Sequence, residues 1–104
     1  MMRKNIFICI LLLLFSISAW TQESVTVTGI VTDQNKEPLI GVNIAIENMP
    51  GLGVITDLNG RYKIKTSTYN KLVFSYIGYE TVNILVKEQR VINVVMKEAS
   101  ATVI

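Results

Sequence analysis

Asp33, Asn35 and Glu37 stand at alternate positions in a polar run, the arrangement that opens a calcium-binding loop. Such a loop needs a glycine at its sharp turn and a closing bidentate glutamate. Pro38 takes the place of the glycine, and no glutamate follows at the required offset, so the run reads as a β-turn. Asp57-Leu58-Asn59-Gly60 also reads as a turn before a metal fragment. Asp caps such a turn, Asn tolerates a left-handed conformation, and Gly supplies positive φ. Paired carboxylates hydrolyse glycosides. Here Glu47, Asp57 and Glu80 are single acids beside turns or on exposed strand faces. Ser75 lies mid-strand without a base to activate it, because the chain has no histidine. The same lack removes Ser-His-Asp triads, Cys-His pairs and His-ligated zinc sites. Tyr62, Tyr76 and Tyr79 are of a type that stacks on sugars. Alternation turns Tyr62 and Tyr76 toward the core, and Tyr79, after Gly78, is free to face either way. The expectation is therefore no catalytic residues, no metal and no cofactor.

The 104 residues carry 10 Lys and Arg against 8 Asp and Glu, a formal charge of +2. That length suits one small domain. Arg3 and Lys4, the apolar run 6–15 and the mixed residues 16–21 have the three-part layout of a secretory signal peptide. The run is short of the ~20 apolar residues that span a bilayer. Ala19 and Thr21 place small residues at both recognition positions and set the cut between Thr21 and Gln22. An alternative cut before Ala19 uses Ser16 and Ser18. Cys9, the one cysteine, falls inside the apolar run and leaves with it, so no disulfide framework exists. Removing residues 1–21 also removes the excess charge, since every acid lies beyond Thr21. A neutral remainder gives no electrostatic case for nucleic acid or an anionic membrane. Without disulfides, it must fold on its apolar core alone.

Which elements hold these residues follows from the period-two pattern that begins at Ser24. Val25, Val27, Gly29 and Val31 share one face of a first strand. Ile40, Val42, Ile44 and Ile46 form the inner face of a second, and residues 48–53 read as a breaker. A short third strand covers residues 54–56. In a fourth, Tyr62, Ile64 and Thr66 point inward while Arg61, Lys63 and Lys65 face water. Residues 72–77 are nearly continuous apolar and predict a strand covered on both faces, ended or kinked by Gly78. Val82, Ile84 and Val86 make a sixth face, and Ile92, Val94 and Met96 a seventh. Residues 97–104 carry no clear element. Seven short strands with frequent turns predict an all-β sandwich. Any open sandwich also offers edge strands to a partner, an unspecific possibility.

Four blocks of the chain resemble a known family. They are Val27-Thr28-Gly29-Ile30-Val31-Thr32-Asp33, Glu37-Pro38-Leu39-Ile40-Gly41-Val42-Asn43-Ile44, Gly53-Val54-Ile55-Thr56-Asp57-Leu58-Asn59-Gly60-Arg61-Tyr62 and Leu72-Val73-Phe74-Ser75-Tyr76-Ile77-Gly78-Tyr79. In this order and spacing they are similar to the carboxypeptidase-D regulatory-like domain, a seven-stranded transthyretin-like, Ig-like sandwich. The resemblance covers roughly Val25 to Met96, so the chain divides into a signal peptide at 1–21, a sandwich at 22–98 and a tail at 99–104. Its signature positions here are Gly29, Asp33, Pro38, Gly41, Asp57, Gly60, Tyr62, Gly78 and Tyr79. Folding roles suit them: Gly29 keeps an inner position small, Pro38 stiffens a turn, Gly60 supplies positive φ, and Gly78 turns the chain. The resemblance brings no catalytic residue. The related transthyretin-like hydrolases rely on histidine, which this chain lacks.

Such a domain directly after a signal peptide is similar to the amino terminus of SusC/RagA-type TonB-dependent outer-membrane transporters. The resemblance implies a non-catalytic module on the periplasmic side, with plug, barrel or other envelope proteins as partners and no small-molecule substrate of its own. This chain shows neither plug nor barrel strands; Ala101-Thr102-Val103-Ile104 at most begins a TonB box. The alternatives are a stand-alone exported binding module and an accessory domain of an exported peptidase.

Overall fold

The computed structural model describes residues 24–100. Seven strands run in chain order: β1 (Val25–Thr32), β2 (Asn43–Ile46), β3 (Met49–Ile55), β4 (Arg61–Thr66), β5 (Lys71–Ser75), β6 (Val82–Leu85) and β7 (Val94–Val95). They form two sheets, β4-β1-β7 and β3-β2-β5-β6. The all-β sandwich expected from the period-two pattern is the fold observed. Neighbours pair antiparallel except β1 and β7, which run parallel.

The core lies between the sheets. Val27, Val31, Tyr62, Ile64 and Val94 descend from one, and Ile44, Ile46, Leu72 and Phe74 from the other. Val42, Val86, Ile92 and Met96 join them from just beyond strand ends. Full burial of such a side chain contributes roughly 1.5–3 kcal/mol. The Tyr62 and Phe74 rings meet edge to face across the layers, with centroids 5.4 Å apart. Among the described residues, the core residues and the seven strands lie within residues 25–96.

The structure corrects four local expectations. The breaker at residues 48–53 is instead most of β3. Asn48 takes φ 64°, so Glu47 and Asn48 turn the chain directly from β2 into β3. Pro50, Gly51 and Gly53 are tolerated because β3 is an edge strand, where one side needs no ladder hydrogen bond. Ile40 is 50% exposed rather than inward. Gly41, at φ 82°, breaks the alternation before β2 begins. The apolar run 72–77 is covered on one face, not two: Leu72 and Phe74 are buried, Val73 and Ser75 are half-buried, and Ile77 is 93% exposed. A two-layer sandwich has no third layer to cover it. Tyr76 accordingly sits half-buried at the margin of the core. Finally, Asn59 is not among the positive-φ residues; Gly60 alone turns that loop, at φ 71°.

Candidate functional site

The two aspartate turns are built alike. Asp33 Oδ1 accepts the Asn35 and Glu37 N–H groups at 2.8 and 2.9 Å. Asp57 Oδ1 accepts those of Asn59 and Arg61, both at 2.9 Å. In each turn the fourth residue takes the left-handed conformation, Lys36 at φ 66° and Gly60 at φ 71°. Backbone hydrogen bonds from Asp33 to Glu37 and from Asp57 to Arg61 close both loops. These bonds direct the carboxylates to their own loops. Among the described residues, no three His, Cys, Asp or Glu side chains come together to hold a metal.

The turns also pack on each other. The Gly60 carbonyl accepts the Val31 N–H at 2.8 Å, and a Cβ on Gly60 would meet the Val31 carbonyl and Pro38. Pro38 bridges to Thr32 across the first turn. Next to them lies a buried hydroxyl that sequence reasoning missed. Thr56, 2% exposed, accepts the Val42 N–H at 2.9 Å and donates to the Leu39 carbonyl at 2.6 Å. Its backbone carbonyl accepts the Gly41 N–H. Thus Gly41 and Thr56 together carry the chain into β2. In the sequence Thr56 has no feature that separates it from the exposed threonines.

A second constellation joins Gly29, Tyr62, Ile92 and Asn93. Gly29 pairs with Tyr62 across β1 and β4. The parallel ladder to the last strand runs Thr28 N–H to Arg90 and Ile92 N–H to Thr28. At the next step the Ile30 N–H bonds instead to Asn93 Oδ1, at 3.0 Å. The Ile92 carbonyl turns inward and accepts the Tyr62 hydroxyl at 2.6 Å. A Cβ on Gly29 would overlap that carbonyl, so glycine is what makes room for it. Burial pushes the Tyr62 hydroxyl up to about 12. Asn93 fills the ladder position that Ile92 vacates, a role no spacing rule announces.

Gly78 and Tyr79 form the third group. Gly78, at φ 83°, completes the turn that returns the Tyr79 N–H to the Tyr76 carbonyl. The chain beyond β7 docks here: Glu80 N–H bonds to Lys97, Ala99 N–H to Gly78, and Tyr79 bridges to Glu98. The residues after Met96, which carry no clear element in the sequence, thus close the sandwich at this end. Tyr79 is half-buried, its ring 5.5 Å from that of Tyr76. Partial burial, then the charges of Glu98 and Asp33 and the neighbouring Tyr76, push its hydroxyl upward. Asp33, Tyr79, Met96 and Glu98 line a hollow of about 150 Å³. The proposed cleavage residues Thr21 and Gln22 lie outside the described residues.

The outward faces differ in charge. Arg61, Lys63 and Lys65 stand in line on β4, beside Ile30, Thr28 and Thr26 of β1. On the other sheet, Asn43, Ala45, Gly53, Ile55, Val73, Ser75 and Asn83 share an outward face on which Lys71 is the one charged strand residue among the described residues.

Residues 27–104 match the CarboxypepD_reg-like domain, a stretch that includes all of these constellations. The chain belongs to this family. Among curated relatives of this CarboxypepD_reg-like domain, the TonB-dependent receptor SusC of Bacteroides thetaiotaomicron is 34% identical over 103 residues, covering 94% of this chain and 10% of that protein. The TonB-dependent receptor P39 of Formosa agariphila is 37% identical over 93 residues, covering 85% and 9%. The chain therefore spans about a tenth of the length of the curated relatives it matches. A solved structure, 3-chlorocatechol 1,2-dioxygenase from Rhodococcus opacus, shares the fold at a TM-score of 0.58 and 12% identity, covering 76% of this chain and 61% of that one. At that identity the likeness is one of architecture.

Proposed function

We propose that this sandwich is the non-catalytic, amino-terminal accessory domain of a TonB-dependent outer-membrane transporter for nutrient uptake, lying on the periplasmic side of that membrane. The observation that carries the reading is the match of 94% of this chain to a TonB-dependent receptor of which it fills 10%. A module of that relative size contributes binding and positioning, with transport left to the remainder. The structure is in keeping with this: the core is closed, the turn carboxylates bond to their own backbones, and the exposed features are faces and edges. Its partners are then the transporter's plug and barrel or neighbouring envelope proteins.

Antibodies against residues 22–104 test the proposal in the organism that makes the protein. The expected result is a polypeptide about ten times longer in the outer-membrane fraction, in keeping with the relatives' length. Protease should reach the domain only after the outer membrane is permeabilised. A band of the domain's own size in the periplasm or the medium would rule against the transporter reading.

A further inference from the structure

The strands of the β4-β1-β7 sheet carry three cations and no carboxylate. Arg61, Lys63 and Lys65 stand at alternate positions of β4, while β1 and β7 are uncharged. All three are exposed, and the residues between them are buried. β4 is an edge strand, paired with β1 alone. Its ladder is more regular than those of the other edges. It runs through six consecutive pairs, from Val25 with Thr66 to Ile30 with Arg61, without a shift. The register of β3 on β2 shifts between Ala45 and Ile46, β6 pairs over four residues and β7 over two. Among the described residues, β4 is also the one edge strand that bears charge.

The register also says which backbone groups of β4 are open. The Val31 N–H bonds to the Gly60 carbonyl, so hydrogen-bonded pairs fall on the odd-numbered residues of β1, opposite Tyr62, Ile64 and Thr66. Thr28 and Ile30 turn their N–H groups the other way, to Arg90 and Asn93. By the same alternation the N–H and C=O groups of Arg61, Lys63 and Lys65 point away from β1. Arg61 uses both of its groups in the Asp57 turn. Lys63 and Lys65 have no backbone partner among the described residues. The residues with open backbone groups are thus the ones with cationic side chains.

We infer that this edge binds an extended acidic segment of a partner protein, added antiparallel beyond β4. Pairing at Lys63 and Lys65 supplies the backbone bonds. A residue directly opposite each lysine projects to the same side of the sheet, so Asp or Glu at alternate positions of the segment faces each cation in turn. Arg61 extends the row to a third acid through its side chain alone. The intervening residues of the segment line up with Tyr62 and Ile64 and are β-branched, which suits a strand. No carboxylate within the sheet's own strands competes for the cations. Lysines on an edge deter other strands in general. Set in a row beside open backbone groups, they act as a filter on the partner's charge. A second copy of this chain is turned away. Any antiparallel register that joins the open groups of two β4 strands sets lysine opposite lysine. This inference does not depend on the transporter reading.

The test titrates the ¹⁵N-labelled full chain with a seven-residue peptide that has Glu at its second, fourth and sixth positions and Val or Thr between them. Amide shifts should centre on β4, and the Lys63 and Lys65 N–H groups should exchange more slowly. The same peptide with Gln in place of Glu should bind on the order of tenfold more weakly. Added salt should weaken the Glu peptide several-fold and leave the Gln peptide unaffected. Lys63 and Lys65 are exposed, so Lys63→Glu with Lys65→Glu should keep the thermal midpoint, lose the Glu peptide and bind a Lys peptide of the same layout. Absence of shifts at millimolar peptide, or equal binding of the Gln peptide, would overturn the proposal. So would shifts at Thr26 and Thr28 without slowed exchange at Lys63 and Lys65, which would make the row a charged face with no strand added.

Discussion

Replacing Tyr62 by Phe removes one oxygen and leaves the ring in place against Phe74. The lost atom is the donor to the inward-turned Ile92 carbonyl, at 2.6 Å. That carbonyl gave up its ladder partner to face the core, since the Ile30 N–H bonds to Asn93 Oδ1. Without Tyr62 it is left buried and unpaired, which costs about 1–3 kcal/mol. For a domain of this size, 1 kcal/mol moves the thermal midpoint by roughly 4–8 °C. Tyr62→Phe should therefore lower it by about 10 °C at pH 7. The hydroxyl also predicts a pH signature. Burial raises it to about 12, against the ordinary value of 10 in the unfolded chain. Between those values the folded state keeps a proton that the unfolded state has released. Tyr62 thus contributes its full stability below pH 10 and loses it as pH rises toward 12, by about 3 kcal/mol in all. Urea denaturation of both proteins from pH 7 to 12 measures this directly. The gap between wild type and Tyr62→Phe should narrow above pH 10. A variant within 0.5 kcal/mol of wild type at pH 7, or two curves that fall in parallel through alkaline pH, would refute the reasoning.

Gly29→Ala should be more damaging than Tyr62→Phe, because its Cβ overlaps the Ile92 carbonyl and crowds Tyr62. We expect at least about 3 kcal/mol lost, read as a collapsed urea midpoint, with the last strand detached from β1 in hydrogen exchange. The twin turns give opposite responses to exchange. Lys36→Gly relieves a left-handed side chain and should stabilise by up to about 0.5 kcal/mol, whereas Gly60→Lys, against Val31 and Pro38, should cost more than about 2 kcal/mol by the same measurement. Thr56→Val keeps the shape but strands the Val42 N–H and Leu39 carbonyl, for about 2–3 kcal/mol, and Thr56→Ser should recover most of it.

Much of the fold was legible because strand periodicity is local. The alternation of Tyr62, Ile64 and Thr66 with Arg61, Lys63 and Lys65 states which face is wet, and the structure buries the first set. Four blocks in order were enough to reach the family. Edges were less legible. Residues 48–53 carry the Pro and Gly of a loop, and what makes 49–53 a strand is β2 alongside, with no strand on the other side among the described residues. Continuous apolarity at 72–77 misled for a related reason, since nothing in those residues says how many layers the sheet will meet.

The amino-acid sequence by itself therefore determined the sandwich, its inward side chains, the two aspartate turns and the family, each from residues adjacent in the chain. Tertiary structure decided the parallel pairing of β1 with β7, the inward turn of the Ile92 carbonyl over Gly29, and the buried hydroxyl of Thr56. These depend on partners far apart in sequence, such as Ile30 with Asn93. A hydrogen bond across that distance leaves no periodic trace; it exists only once the sheets have closed.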